Sequence, residues 1–301
     1  MSASLALLLA LQQIVVPFGN PPQVERFPAP LKENGPLWAS VCKDNDGWDT
    51  PAPPVRIQGN TYLVGTCGIT SLLITGNDGH ILIDGGTEKG AEAVAANIKA
   101  LGFKPTDVRI ILISHEHHDH VGGVARLQQL TGANLYVAPA AKTAMNSGKG
   151  DAADPQAKIL APFPAARVDG TVADGQEIRL GNLMLTAMAT PGHTAGATSW
   201  RWVSCDGGVC PTIVYADSLS PVSSDDYKFS AHPALLATFR ASFAKIAASP
   251  CDLLLTPHPA ASNMPARLAL TAPMRDSDAC KEYAVAKGKA LDERLAKEKA
   301  K

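Results

Sequence analysis

Six consecutive residues, 115–120, combine four imidazoles and two carboxylates in the order His-Glu-His-His-Asp-His. Imidazole nitrogens and carboxylate oxygens are among the ligands that zinc takes in proteins. Groups of this kind crowd together stably when a cation neutralises and organises them. The segment therefore predicts a zinc site. The alternative of a metal-scavenging tract is disfavoured because such tracts are repetitive and unstructured.

The spacing within this segment predicts two metal ions. In an extended chain, residues i and i+2 point the same way, so His115 and His117 can bind one ion together. Asp119 and His120 follow after the chain has turned and can reach a second ion. His118 has the wrong parity for the first pair, and we expect it to line the pocket instead of binding metal.

Two distant histidines are expected to complete the ligand set. His193 follows Thr-Pro-Gly, and His258 follows Thr-Pro. In both places the proline comes after an apolar run that is typical of a strand, and it ends that strand. Polar sites in α/β proteins collect at the carboxyl ends of strands, which favours a shared location. His80, in a turn, and His232, before a helix, are expected to be exposed.

The elements that must position these residues occur twice in a similar order of strands, helix and strand. Two sheets packed face to face with helices outside would bury both apolar sets, so we predict an α/β fold with a four-layer αβ/βα sandwich. The predicted strands are 55–57, 61–65, 69–75, 80–84, 108–113, 134–138, 177–180, 183–189, 198–204, 212–216 and 252–256, and the predicted helices are 88–101, 122–130, 233–248 and a segment from about 276.

Composition limits the partners and the compartment. The net charge of −1, with no Lys/Arg stripe, argues against a nucleic-acid partner. The apolar run 5–16 is shorter than the roughly 20 residues of a membrane span and resembles a secretory leader. We therefore predict a leader over 1–20, with a packed N-terminal segment as the alternative. Residues 21–301 are predicted to form one domain with an extended arm over 17–36, monomeric, periplasmic and without a membrane anchor.

The six cysteines form no Cys-x-x-Cys pair, which argues against a zinc ribbon. An even count behind a leader favours disulfides in an oxidising compartment, although six reduced, buried cysteines are the alternative. Only one pairing has local support. Cys205 and Cys210 flank a turn between two predicted strands and lie close across the hairpin.

The motif His-x-His-x-Asp-His over 115–120, the Asp-Gly-Gly at 84–86 and the later single histidines resemble the metallo-β-lactamase superfamily. Within it, the run Ala-Asp-Ser-Leu-Ser at 216–220 is similar to the third subclass (B3) of the class B β-lactamases. The resemblance extends over nearly the whole mature chain.

The resemblance implies a role for each matched residue. Asp84 would support the metal loop from behind, and Ser218 and Ser220 would contact the substrate carboxylate. It implies one zinc held by His115, His117 and His193, a second held by Asp119, His120 and His258, and the disulfides Cys42–Cys67, Cys205–Cys210 and Cys251–Cys280.

The reaction implied is hydrolysis of the β-lactam amide of penicillins, cephalosporins and carbapenems, which confers antibiotic resistance. Zinc lowers the pKa of a bound water toward about 7, so hydroxide is available as the nucleophile. Asp119 would orient that nucleophile, and Gln156, in a pocket-edge loop, would hydrogen-bond the substrate. The alternatives are a lactonase or thioester hydrolase, favoured if Asp217 bridged the metals, or a non-catalytic zinc-binding module.

Overall fold

The computed structural model of the chain describes residues 14–15, by their backbone alone, and 34–300. Most of the predicted leader and arm lies outside the described residues. The strands are β1 (Ile14–Val15), β2 (Val55–Gln58), β3 (Thr61–Leu63), β4 (Leu72–Gly76), β5 (Gly79–Ile83), β6 (Val108–Leu112), β7 (Asn134–Val137), β8 (Val168–Thr171), β9 (Glu177–Leu180), β10 (Leu183–Ala189), β11 (Thr198–Val203), β12 (Thr212–Tyr215) and β13 (Leu253–Leu255).

The α-helices are α1 (Asn34–Val41), α2 (Gly90–Ala100), α3 (His118–Val121), α4 (Val124–Thr131), α5 (Lys142–Ser147), α6 (Pro233–Ala247), α7 (Met264–Leu268) and α8 (Ala279–Lys299). Short 3-10 turns lie at Pro105–Asp107, Pro139–Ala141, Phe229–Ala231 and Pro259–Ser262. No described helix combines the length and apolar character that crossing a membrane requires.

The strands form two sheets. One has seven strands in the order β2-β3-β4-β5-β6-β7-β8, and the other has six in the order β1-β9-β10-β11-β12-β13. The first half of the seven-stranded sheet is antiparallel, whereas β5 to β8 run parallel. Parallel strands are normally covered on both faces, and β5 is accordingly buried at every position.

Three apolar clusters show how the layers pack. The first lies between the sheets, where Leu72 and Ile83 of one sheet share a cluster with Leu185 and Trp200 of the other. The other two lie under the outer helices, with α2 and α4 on the seven-stranded sheet and α6 and α8 on the six-stranded sheet. The predicted α/β fold with a four-layer αβ/βα sandwich is therefore confirmed.

The sheet topology brings the carboxyl ends of several strands to one edge. Strands β10 and β12 run in the same direction because β11 lies antiparallel between them, and β13 pairs with β12 in parallel. The backbone N–H of Thr198 donates to the carbonyl of Ser114 at 2.7 Å and so joins the two sheets at this edge. The predicted metal ligands follow the strands that end here.

One sequence-based expectation about the fold is wrong. His80 is fully buried within β5, paired with Thr75 and packed edge-on against Phe103 at 5.0 Å. The preceding Asn-Asp-Gly indicated an exposed turn, but the turn consists of Asn77 and Asp78, and β5 has already begun at Gly79. His232 is exposed, as expected, and stacks on Tyr227.

The structure joins all six cysteines in disulfides. The pairs are Cys42–Cys67, Cys205–Cys210 and Cys251–Cys280. The last of these ties Cys251, two residues before β13, to the start of α8, and the first ties Cys42, directly after α1, to the loop after β3. Both lie beside elements that carry or cover the predicted site.

Candidate metal centre

Three histidines form the first group of potential ligands. His115 and His117 follow β6 and His193 follows β10, and all three are buried. Their ring centroids lie 4.8–4.9 Å apart, and their ligand nitrogens lie within 4.8 Å of one another. The structure thus brings together residues that are separated by more than 70 positions in the sequence.

A second group lies directly beside the first. Asp119 and His120 stand on the single turn of α3, and their ligand atoms lie within 4.8 Å of a ring nitrogen of His115. His258, after β13, approaches from the other sheet, with Nε2 3.5 Å from Asp119 Oδ2 and its ring 4.9 Å from that of His120. The six predicted ligands therefore form one continuous cluster.

Hydrogen bonds orient four of the imidazoles. In each, one ring nitrogen lies against an oxygen that accepts a hydrogen bond, so the other is left as a lone-pair donor for metal. The contacts are His115 Nδ1 to Asp217 Oδ1 at 2.7 Å, His117 Nε2 to Asp154 Oδ2 at 3.0 Å, His193 Nδ1 to the Ser220 carbonyl at 2.8 Å and His258 Nδ1 to the Gly68 carbonyl at 3.2 Å.

His120 differs from the other histidines. Its side chain is fully buried, yet neither ring nitrogen makes a well-formed hydrogen bond with any described residue; Nε2 lies 3.0 Å from Asp119 Oδ2. A buried polar atom without a partner costs about 1–3 kcal/mol. A bound cation would satisfy this nitrogen, so the cluster suits a metal in its geometry and in its donor atoms.

Burial keeps several of these rings neutral. It lowers the pKa of His115 well below its usual value, an effect that the neighbouring histidines reinforce. Burial is also the main effect that lowers the pKa of His193 and that of His258 to about 4. The second effect is the charge of a neighbouring histidine, which is His117 for His193 and His120 for His258. Neutral imidazole is the form that binds metal, so these rings are ready to bind at neutral pH.

Asp119 and His120 behave as a charged pair. Burial, the largest single effect, would raise the pKa of Asp119, but the contact with His120 and the charges of His120, His115 and His258 together lower it. Burial, again the largest single effect, would lower the pKa of His120, but the carboxylates of Asp119, Asp84 and Asp217 together raise it.

Asp84 lies behind the cluster, at the end of β5. Its carboxylate accepts hydrogen bonds from the Ser114 backbone and hydroxyl at 2.6 and 2.7 Å and from the Tyr215 hydroxyl at 2.7 Å. Burial raises its pKa to about 6. Its φ of 62° is unusual for a residue with a Cβ, and such strain persists where surrounding contacts fix the backbone. Asp84 therefore fixes the start of the histidine loop.

Glu116 points away from the ligand groups. Its carboxylate accepts hydrogen bonds from the Thr194 hydroxyl at 2.8 Å and the Gly196 N–H at 3.0 Å. A Cβ at Gly196 would lie 2.5 Å from Ala141 Cβ and 2.7 Å from Glu116 Oε2, so a side chain here would collide with both neighbours. Glu116 thereby ties the loop after β6 to the loop that carries His193.

Asp154 was missed as a functional residue by the sequence reasoning. Its carboxylate is buried against His117 and also accepts the backbone N–H of Gln156 at 2.6 Å. The sequence predicted that Gln156 lies in a pocket-edge loop, but it gave no role to Asp154, two residues before it. Gln156 is buried, and its Nε2 has no hydrogen-bond partner among the described residues.

The serine loop, residues 217–220, follows β12. The hydroxyl of Ser218 is buried without a partner among the described residues, whereas that of Ser220 donates to the Ser218 carbonyl at 3.0 Å. Leu219, between them, is buried with a φ of 47°. The Tyr283 hydroxyl of α8 lies 2.7–2.8 Å from the carbonyls of Asp217 and Ser218 and holds the loop in place.

His118 and Trp48 form the rim of the centre. The His118 ring lies on the outer side of α3, 5.6 Å from Trp48, and Trp48 lies 6.0 Å from His258. Both rings line a cavity of about 270 Å³ that also includes Phe163. His118 belongs to neither ligand group, and the cavity that it lines includes none of the six predicted ligands, so its role beside the metal pocket stays a prediction.

Comparisons with known proteins give a consistent result. The family model "Metallo-beta-lactamase superfamily" matches residues 64–258. Among solved structures, the chain is similar to the MIM-2 metallo-β-lactamase, with 54% identity, a TM-score of 0.85 and coverage of 88% of this chain and 98% of the other. It is also similar to MEM-A1, a subclass B3 metallo-β-lactamase from a soil metagenome library, with 40% identity, a TM-score of 0.81 and coverage of 84% and 99%.

A curated relative is more distant. A hydroxyacylglutathione hydrolase of a Bradyrhizobium species (strain BTAi1) is 32% identical over 134 residues, which are 42% of this chain and 44% of the relative. The match thus spans less than half of that protein, whereas the lactamase structures are covered almost completely. The chain belongs to the metallo-β-lactamase superfamily and, within it, is a B3-type member.

Proposed function

We propose that this protein is a zinc-dependent hydrolase that opens the β-lactam amide bond of penicillins, cephalosporins and carbapenems. The observation that carries the proposal is the set of four imidazoles, each held at one ring nitrogen and left as a donor at the other, around the unsatisfied ring of His120. The similarity to B3 metallo-β-lactamases over almost their whole length supports the choice of substrate.

The two groups of ligands support two zinc ions per chain. His115, His117 and His193 would hold the first, and Asp119, His120 and His258 the second. Six protein ligands divided between two ions leave positions open for water and substrate, as in catalytic zinc sites. A non-catalytic zinc module would instead close each ion with four protein ligands.

Bound zinc would supply Lewis-acid activation of water and of the lactam carbonyl. The chain itself supplies orientation and charge. The lowered pKa of Asp119 keeps its carboxylate ionised, so it can accept a hydrogen bond from the attacking water and align it. The unpartnered hydroxyl of Ser218 can donate to the substrate carboxylate, and Ser220 lies two residues further along the same loop. The side-chain amide of the buried Gln156 also has an unpartnered N–H donor that can serve the substrate.

A thioester or lactone substrate is the alternative within the superfamily. This alternative would be favoured if Asp217 were a ligand shared by the two ions. Oδ1 of Asp217 is engaged by the His115 ring, while the buried Oδ2 has no described partner. The contact with His115 indicates that Asp217 orients this histidine and is not itself a metal ligand. This role supports β-lactam hydrolysis over the alternative.

We also propose that the protein acts in the periplasm as a secreted monomer and confers resistance to β-lactams, including carbapenems. The apolar N-terminal run supports a leader, and three disulfides suit an oxidising compartment.

The deciding experiment measures zinc content and substrate turnover of the purified protein. We expect about two zinc ions per chain and hydrolysis of a carbapenem that a chelator abolishes and added zinc restores. Asp119→Ala should lose one zinc and reduce kcat at least 100-fold, an order of magnitude typical of losing an electrostatic catalytic group. Asp225→Asn, an exposed carboxylate elsewhere, serves as the control.

Two outcomes would contradict the proposal. A fully zinc-loaded protein that cleaves a glutathione thioester or a lactone but no β-lactam would assign it to the alternative. Retention of both zinc ions and full turnover in Asp119→Ala would remove Asp119 from the reaction.

A further inference from the structure

The side chain of Lys287, on α8, contacts the serine loop, residues 217–220. Its ammonium donates a hydrogen bond to the Ser220 hydroxyl at 2.8 Å and lies 5.0 Å from the centre of the Tyr283 ring. No carboxylate of the described residues forms an ion pair with it within 4.0 Å, although the side chain is partly buried. The Asp217 carboxylate, which is also bonded to His115, raises the pKa of Lys287, but the opposing effect of burial is larger and the pKa is lowered. A partly buried cation beside a metal centre, with no carboxylate of the described residues in direct contact, is a feature that needs an explanation.

Counting the hydrogen atoms available for hydrogen bonding shows which groups can receive an anion. A hydroxyl carries one hydrogen, and that of Ser220 is already donated to the Ser218 carbonyl. An ammonium carries three, and Lys287 spends one on Ser220. The donors that remain at this loop are therefore those of Lys287 and the unpartnered hydroxyl of Ser218.

The same contacts connect Lys287 to the metal ligands. The carbonyl of Ser220 accepts the hydrogen bond from His193 Nδ1, so one residue contacts both the cation and a ligand of the first group. The positive charge of Lys287 also reaches His258 and adds to the effects of burial and of His120 that lower its pKa. Lys287 is thus within electrostatic range of both ligand groups.

We infer that Lys287 and the Ser218 hydroxyl form an anion subsite that binds the carboxylate of the β-lactam substrate, with Ser220 as the residue that positions the ammonium. This inference rests on the proposed function and adds a specificity-determining residue to it. In this arrangement the carboxylate lies beside a full positive charge, and the hydroxyl of Ser220 holds the charge in place instead of contacting the substrate.

A purely structural role for Lys287 would predict something different. In that case the ammonium would only brace the serine loop, and its removal would affect every substrate equally. A substrate pair that differs only in the carboxylate separates these roles, since the ester form cannot form the ion pair. Benzylpenicillin and its methyl ester are such a pair.

The test compares Lys287→Met, Lys287→Arg and Lys289→Met in the zinc-loaded protein. A hydrogen bond to a charged group is worth about 1.5–3 kcal/mol, which corresponds to a factor of about 10–100. We expect Lys287→Met to raise KM for benzylpenicillin about tenfold, with kcat within a factor of about three, and to leave KM for the ester unchanged. Lys287→Arg should restore most of the affinity, because it keeps the charge.

Lys289→Met is the matched control. Lys289 lies on the same helix but is 77% exposed and is paired with Glu293, so both kinetic constants should stay at the wild-type level. Calorimetric titration with benzylpenicilloate gives a second readout that does not depend on turnover. We expect Lys287→Met to weaken its binding about tenfold, and Lys289→Met to leave it unchanged.

Failure of the inference can be distinguished from failure of the proposed function. If the wild type hydrolyses benzylpenicillin but Lys287→Met changes KM for the acid and the ester equally, or changes neither, the inference is overturned and the function stands. If the wild type hydrolyses neither compound, the proposed function fails. The titration then tests the anion subsite by itself. Equal penicilloate binding by the wild type and Lys287→Met would overturn the subsite.

Discussion

At the scale of single residues, the metal centre depends on oxygens that lie behind the histidines. The carboxylates of Asp217 and Asp154 and two backbone carbonyls each fix one ring nitrogen, which sets both the tautomer and the direction of the free nitrogen. Burial lowers the pKa of His115, His193 and His258, which keeps these three rings neutral. The chain itself therefore orients four of the imidazoles and keeps three of them in the form that binds metal.

Asp154 gives the sharpest prediction at this scale. Asp154→Asn keeps the oxygen that accepts the Gln156 N–H but removes the charge that holds His117. We expect zinc affinity, measured by competition with a chelator, to fall about 10–100-fold, as is typical when a carboxylate behind a histidine ligand is changed. Asp225→Asn, on the surface, should leave the affinity unchanged. Equal affinities for Asp154→Asn and the wild type would show that the contact has no role in metal binding.

At the scale of elements, α8 does more than cover the six-stranded sheet. It buries Tyr283 and Leu291 against the apolar cluster that it shares with α6, and it contacts the serine loop through Tyr283 and Lys287. The disulfide Cys251–Cys280 fixes the start of this helix beside β13. The helix thus positions the serine loop, for which we propose a role in substrate binding.

Tyr283→Phe tests this function of the helix. The change leaves the carbonyls of Asp217 and Ser218 without their donor in a buried setting, which costs about 1–3 kcal/mol. We expect the free energy of unfolding, measured by urea denaturation, to fall by that amount. Tyr227→Phe removes a hydroxyl for which no hydrogen bond is described and should change it by less than about 0.5 kcal/mol. Similar losses in the two variants would argue against the role of Tyr283.

At the scale of the whole molecule, the sandwich gathers strand ends from two sheets at one edge and buries titratable groups elsewhere. His80 lies in the seven-stranded sheet, and burial lowers its pKa from the usual value of 6.5. As the pH falls through 6.5, the unfolded chain binds a proton that the folded protein does not. The contribution of His80 to the free energy of unfolding is therefore fully present above pH 6.5 and decreases as the pH falls below it.

His80→Phe should remove this dependence. The free energy of unfolding of the wild type, measured by urea denaturation at matched zinc concentration, should fall relative to that of His80→Phe between about pH 7.5 and 5. Other histidines titrate in both proteins, so the difference isolates His80. A difference that does not change with pH would contradict the prediction.

Much of the fold could be predicted because its elements are strongly patterned. The alternation of apolar strands with helices such as α2 and α6 indicated the layers, and the strand ends indicated where polar residues would meet. The pattern failed where it was weak. Strand β8 is half exposed and polar, so it lacks the alternation of apolar residues that indicates a strand. Helices α5 and α7 are too short to show the helical spacing of apolar residues.

The sequence by itself determined the chemistry of this protein, because the type and parity of residues 115–120 define a metal site wherever the segment is placed. Only the tertiary structure decided how that site is held and what surrounds it. Asp154, Tyr283 and Lys287 lie about 35 to 170 positions away along the chain, and hydrogen bonds over such separations follow from packing, which leaves no local periodic signal. The same packing places His80 in the interior, against the exposed turn that its neighbours indicated.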